Sequence, residues 1–130
     1  MMDQLHSMTG TGVKYLLKMR ELDPARKGFH CVAVAELLGV SKPSVHRMMD
    51  RLQERGLVQK DRYGLVYFTE TGWKLAVLYG SYFDILYRYF CNILPEEDIT
   101  AAVYTLLAEM SEKGIAALCK RISEKNEKNL

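Results

Sequence analysis

A chain of 130 residues with a formal net charge of +2 is long enough for one ordinary domain, or for a small domain with an oligomerisation extension. Its first residues, MMDQLHSMTG, lack the apolar centre of a secretory signal, and no run of about 18 apolar residues offers a membrane span. Three cysteines (Cys31, Cys91, Cys119) form an odd set without a CxxC pair, which fits reduced, buried, inert thiols in a cytoplasmic protein.

Residues 1–8 read as a loose arm. From Thr9 to Leu22 the recurrence of Val13, Leu16, Leu17 and Met19 predicts a first helix, ended by the turn Asp23–Gly28. Phe29 to Val32 is expected to pair briefly with a later hairpin. Ala33, Val34, Leu37 and Leu38 then give a short amphipathic helix that stops at Gly39, a residue suited to the left-handed position after a helix. Ser41 can cap the next helix, and Pro43 falls in its first turn, where a missing N–H costs little. Val45, Met48, Met49 and Leu52 recur at helical spacing as an apolar stripe ending at Gly56. Leu57–Lys60, Asp61–Gly64 and Leu65–Phe68 read as strand, turn and strand. The order from Val32 to Gly72 is the signature of a winged helix-turn-helix, which offers the start of one helix to the DNA major groove.

A long helix opens at Thr69–Gly72 and should run to Leu94, before Pro95. It is apolar nearly all round, which predicts burial on two sides, against its own domain and against a second copy of the chain. The expected dimer residues are Tyr79, Tyr82, Phe83, Leu86, Tyr89 and Phe90. Glu96, Glu97 and Asp98 complement the start of a further helix carrying Ala102, Val103, Leu106, Leu107 and Met110. Ile115, Leu118, Cys119 and Ile122 mark a last amphipathic piece, and the polar tail EKNEKNL is expected to fray. The fold class is therefore mainly α with a small β-wing: a winged helix-turn-helix over residues 1–72, then a helical dimerisation region over residues 73–130.

With the stripe facing the core, Pro43, Arg47, Asp50 and Glu54 lie opposite it, flanked by Ser44, His46 and Arg51. Arg47 is the best base reader, because a guanidinium can meet guanine O6 and N7 together. Ser41, Lys42 and Ser44 suit phosphate at the helix start, whereas Asp50 and Glu54 should be repelled and so limit contact to the first two turns. Lys60, Arg62 and Tyr63 at the wing turn can reach a neighbouring phosphate or the minor groove. Charge placement agrees: Met1–Leu65 holds 11 Lys and Arg against 7 Asp and Glu, and the remainder 7 against 9. An enzyme is not expected, since there is no phosphate loop, HExxH or GxSxG, and His6, His30 and His46 have no carboxylate partners at a recognisable spacing.

The segments MTGTGVKYLLKM, VAELLGVSKPSVHRMMDRLQERGLV, RYGLVYFTETGWKLA and AEMSEKGIAALCKRI resemble the DtxR/MntR family of metal-dependent transcriptional repressors, from Met8 to about Ile122. The resemblance implies a homodimer, built through the helices after the wing, that binds double-stranded DNA. It also implies Mn²⁺ or Fe²⁺ as cofactor, yet the family's ligand positions hold Lys14, Leu17, Phe83, Tyr104, Leu107 and Ala108 here, and a register slip of one adds Glu109 alone. Leucine, phenylalanine and alanine bind neither metal, and a lysine repels them. The expectation is thus a metal-independent relative with no cofactor. Two alternatives stay open: a metal-responsive repressor with an unrecognised site, and a protein-interaction or small-molecule module that has lost operator binding.

Overall fold

Helix α1 spans Gly10–Leu22 in the computed structural model and buries Val13, Leu16, Leu17 and Met19, as the periodicity requires. The structure describes residues 10–128, so the arm expected over residues 1–8, the helix start at Thr9 and the last two tail residues lie outside the described residues. Asp23 ends α1. Its carboxylate is buried and accepts from the backbone N–H groups of Lys27 and Gly28 at 2.9 and 2.8 Å, which closes the following turn.

Strand β1 is only Phe29–His30, and Cys31 and Val32 belong instead to helix α2, Cys31–Leu38. That start resets the helix phase. The buried side is Cys31, Val34 and Ala35, so Leu37, expected to face inward, is 47% exposed. Gly39 follows with φ +68°, and the N–H groups of Gly39 and Val40 both reach the Ala35 carbonyl, at 2.9 and 3.1 Å.

Helix α3, Lys42–Glu54, buries Val45, Met49 and Leu52, with Met48 half-buried beside them. It closes in a Schellman turn: Gly56, at φ +73°, donates to the Gln53 carbonyl at 2.9 Å, and Leu57 to that of Leu52 at 2.9 Å. Strands β2 (Val58–Lys60) and β3 (Leu65–Phe68) form the wing, and the antiparallel sheet has the order β1-β3-β2. Phe29 lies opposite Val66, and Val58 opposite Phe68.

Helix α4 covers Glu70–Phe90. It stops a turn earlier than expected, because Ile93 and Leu94 both donate to the Phe90 carbonyl in a turn that leads into Pro95. Helix α5 is Glu96–Glu109 and α6 is Glu112–Lys128, so most of the tail expected to fray is helical. The result is a winged helix-turn-helix followed by a helical region, with six helices and one three-stranded sheet among the described residues. The chain divides into two compact units: residues 15–77 make one, and residues 78–128 with the start of α1 make the other, so both boundaries fall within helices.

Candidate nucleic-acid interface

The N-terminal end of α3 is built by local hydrogen bonds. Ser41 is the N-cap, in extended geometry, and its Oγ accepts from the Ser44 N–H at 3.2 Å. The Ser41 hydroxyl in turn donates to Ser44 Oγ at 2.9 Å, and Arg47 Nη2 donates to the same oxygen at 3.3 Å. Ser41, Ser44 and Arg47 therefore form a ladder at i, i+3, i+6 along one exposed edge of the helix. It draws the guanidinium back towards the first turn of α3, the end where the helix dipole favours an anion.

Around this ladder Lys42, Pro43, His46, Asp50, Arg51 and Glu54 are all exposed, while the opposite stripe is buried. The arrangement is the one that a helix needs to present one face to a groove about 12 Å wide.

The wing turn is fastened by Asp61. Its Oδ1 accepts from the Tyr63 and Leu65 N–H groups at 2.8 and 2.9 Å, while its own N–H reaches the Leu65 carbonyl at 2.9 Å. Gly64 takes φ +84°, a conformation that costs other residues dearly. Arg62 is exposed at the tip, and Tyr63 is 79% exposed, far more than an aromatic ring needs for packing.

Lys60 behaves differently from the other candidates. Its ammonium lies 2.7 Å from Asp50 Oδ1, linking β2 to the outward face of α3. The hydrogen bond and charge of Lys60 hold the Asp50 carboxyl below the usual carboxylate range, with a smaller contribution from His46. Sequence reasoning missed this pair, because it treated Asp50 as a bare repulsive charge and Lys60 as a phosphate contact. A tertiary pairing across ten residues leaves no trace in helical or strand periodicity.

In the same unit Arg26 has φ +57°, its Nη1 is 3.1 Å from Glu70 Oε2, and its guanidinium stands 5.2 Å from the Trp73 ring centre. Phe68 meets the same indole edge-on at 5.7 Å.

In the helical unit, Phe83, Tyr104 and Leu107, at positions where the resemblance implies metal ligands, take part in packing. Phe83 stacks near Tyr87 and lies 5.2 Å from the Tyr104 ring, and Leu107 is buried. A Cβ on Gly10 would come within 3.3 Å of the Ala108 methyl. Lys14 is exposed and Leu17 buried in their own settings. Among the described residues no group of three His, Cys, Asp or Glu is placed to hold a metal ion. This donor set does not fit Mn²⁺ or Fe²⁺.

The expected dimer residues separate into two groups. Tyr79, Tyr82 and Leu86 are buried within the chain, so their side chains serve its own core and are not free to meet a partner. Phe83 and Phe90 are half-buried, while Tyr89 and, beyond the helix end, Ile93 are 44% and 56% exposed. Tyr82 donates to Glu112 Oε1 at 3.2 Å. Burial, with the Glu112 charge and hydrogen bond behind it, pushes its phenol up to about 12. Cys31 and Cys119 are buried, and burial raises both thiols; Cys91 is exposed, contrary to expectation, because it falls in the turn after α4. No helix among the described residues is long and apolar enough to cross a membrane.

Comparison with known proteins bears on the fold. A model of the IclR helix-turn-helix domain matches residues 20–62, a different helix-turn-helix family from the one the sequence resembles. Among curated proteins no sequence matches the chain. Among solved structures it is similar to the hypothetical protein SSo2273 from Sulfolobus solfataricus, at 19% identity and TM-score 0.68, covering 89% of this chain and 90% of that one. It is similar to the manganese regulator SloR at 23% identity and TM-score 0.72, covering 86% of this chain and 53% of that one. The metal-dependent transcriptional regulator MtsR gives 18% identity and the same TM-score, 0.72, again with 86% and 53% coverage. The chain thus spans about half the length of these two regulators. At such identities the likeness establishes the fold, a winged helix-turn-helix shared with transcription regulators.

Proposed function

We propose that this chain is a DNA-binding transcriptional regulator of the DtxR/MntR kind that works as a homodimer without Mn²⁺ or Fe²⁺. The observation that carries the reading is the exposed first half of α3, with the Ser41–Ser44–Arg47 ladder set at its N-terminus and the wing tip free for a second contact. In this reading Ser41, Lys42 and Ser44 hold phosphate, Arg47 reads a guanine edge, and Pro43, His46 and Arg51 line the groove. Arg62 and Tyr63 meet the flanking backbone or minor groove. Two copies related by a two-fold axis would place their recognition helices on half-sites about one helical turn, or a multiple of it, apart.

The experiment is duplex-DNA affinity measured across a salt series. A steep linear fall of log affinity with log salt, shallower by about one for Lys42→Ala and Arg62→Ala, is the expected result. Flat, weak binding by the unaltered chain would instead identify a protein-interaction module that has kept the fold.

A further inference from the structure

Two acidic side chains, Asp50 and Glu54, occupy the face that the proposed function turns towards DNA, and Asp50 is the nearer to the N-terminal turns. Asp50 lies on the outward side of α3 together with Pro43, Arg47 and Glu54, and all four are exposed. A bare carboxylate in that place faces a polyanion and weakens every complex, whatever its sequence. Here it is not bare: Lys60, delivered by the wing strand β2, donates to Oδ1 at 2.7 Å. The other titratable or charged side chains on the neighbouring turns of α3 are His46, Arg47, Arg51 and Glu54.

The pairing has two geometric consequences. The ammonium cancels the carboxylate's charge, so the face can approach phosphate. It also bonds one oxygen, Oδ1, and the Asp50 side chain remains 65% exposed, which leaves the carboxylate capacity to accept a further donor. Arg47 precedes Asp50 by three residues, so the two lie on neighbouring turns of the same outward side of α3 and can reach the same stretch of groove.

We propose that Asp50 is a specificity-determining residue, its carboxylate accepting from the N4 amine of a cytosine in the major groove, in the stretch addressed by Arg47. Lys60 is a positioning residue that fixes the carboxylate and offsets its charge, rather than a phosphate contact. Cytosine is chosen over adenine by chemistry. An ionised carboxylate only accepts, and cytosine presents a donor alone, whereas adenine sets the N7 acceptor beside its amine. The assignment rests on the DNA-binding reading above.

The test is selection of preferred sites from random duplexes by the full chain, followed by affinities for the selected site and its single-base variants. The unaltered chain should select a site containing a cytosine whose replacement weakens binding about five- to tenfold. Asp50→Asn and Asp50→Ala should lose that discrimination at that one base pair and keep it elsewhere. Lys60→Met should weaken binding to all sequences, and Asp50→Asn in the same chain should restore it. Selection by both Asp50 variants of the same bases at every position overturns the assignment while leaving the regulator reading intact. Failure of the unaltered chain to select any sequence overturns both.

Discussion

Thr69 Oγ1 donates to the Gly56 carbonyl at 2.6 Å and accepts from the Gly72 N–H at 3.0 Å. One hydroxyl thus caps α4 and closes the turn that ends α3. Gly72 lies so near the Leu57 carbonyl that a Cβ there would overlap it. Gly72→Ala should therefore destabilise the fold by about 1–3 kcal/mol, although alanine is the better helix former. Thr69→Val should cost about 1–2 kcal/mol through the lost cap and the orphaned carbonyl. Denaturant unfolding of both variants checks the sign, and a stabilising Gly72→Ala would contradict the packing described.

Ser41 separates stability from recognition. Ser41→Ala removes the cap and should cost about 1 kcal/mol. Ser41→Asp keeps a capping oxygen and favours the helix dipole, so unfolding should change little. Its added charge stands where phosphate is expected, and duplex-DNA affinity should fall. Equal loss of stability and affinity in both variants would count against a direct role at the interface.

The raised phenol of Tyr82 gives a signed pH dependence. In the unfolded chain tyrosine ionises near pH 10, whereas in the folded chain Tyr82 holds its proton to about 12. The folded state favours the neutral ring, so this contribution is complete below about pH 10 and is lost as pH rises towards about 12. Tyrosinate absorbance should show one late-ionising ring, absent in Tyr82→Phe, and the alkaline fall in stability should be shallower in that variant. The Asp50 carboxyl has the opposite sign: its support is present above the ordinary carboxylate range and disappears as pH falls below it. Lys60→Met should move the Asp50 titration, followed by carboxyl NMR, back to the ordinary value.

Metal titration tests the input end. Calorimetry with Mn²⁺, Fe²⁺, Co²⁺ and Zn²⁺ should give no tight stoichiometric heat, because Phe83 and Tyr104 pack together and Leu107 is buried at the positions where ligands would stand. Tight binding that is lost on replacing residues at these positions would contradict the metal-independent reading.

Self-association should depend on the exposed end of α4 and the turn beyond it. Tyr89→Glu and Ile93→Glu are expected to shift sedimentation from dimer towards monomer with little change in helicity. Tyr79→Glu should unfold the chain instead, because that ring is buried within its own unit.

Much of the winged helix was legible because its signals are local. The Ser41 cap, the stripe of Val45, Met49 and Leu52, the left-handed Gly39 and Gly56, and the Asp61–Gly64 turn all act within a few residues. The errors arose where distant parts decide. Cys31 and Val32 have the local character of a strand, but β1 pairs for only two residues, and the helix phase that follows exposes Leu37. The all-round apolar character of α4 does not say which of its residues the chain covers itself, and Tyr79, Tyr82 and Leu86, expected at a dimer interface, are among those it covers. The Lys60–Asp50 pair depends on how a strand end lies beside a helix, which no residue spacing encodes.

The Asp61 turn has a thermodynamic consequence for any encounter. With two backbone amides already held by one carboxylate, the backbone of the loop carrying Arg62 and Tyr63 is restricted before any target arrives. The ordering entropy of that backbone belongs to folding and not to association. On the proposed function, the wing backbone would meet its target already shaped, and only the exposed Arg62 and Tyr63 side chains would have freedom left to lose.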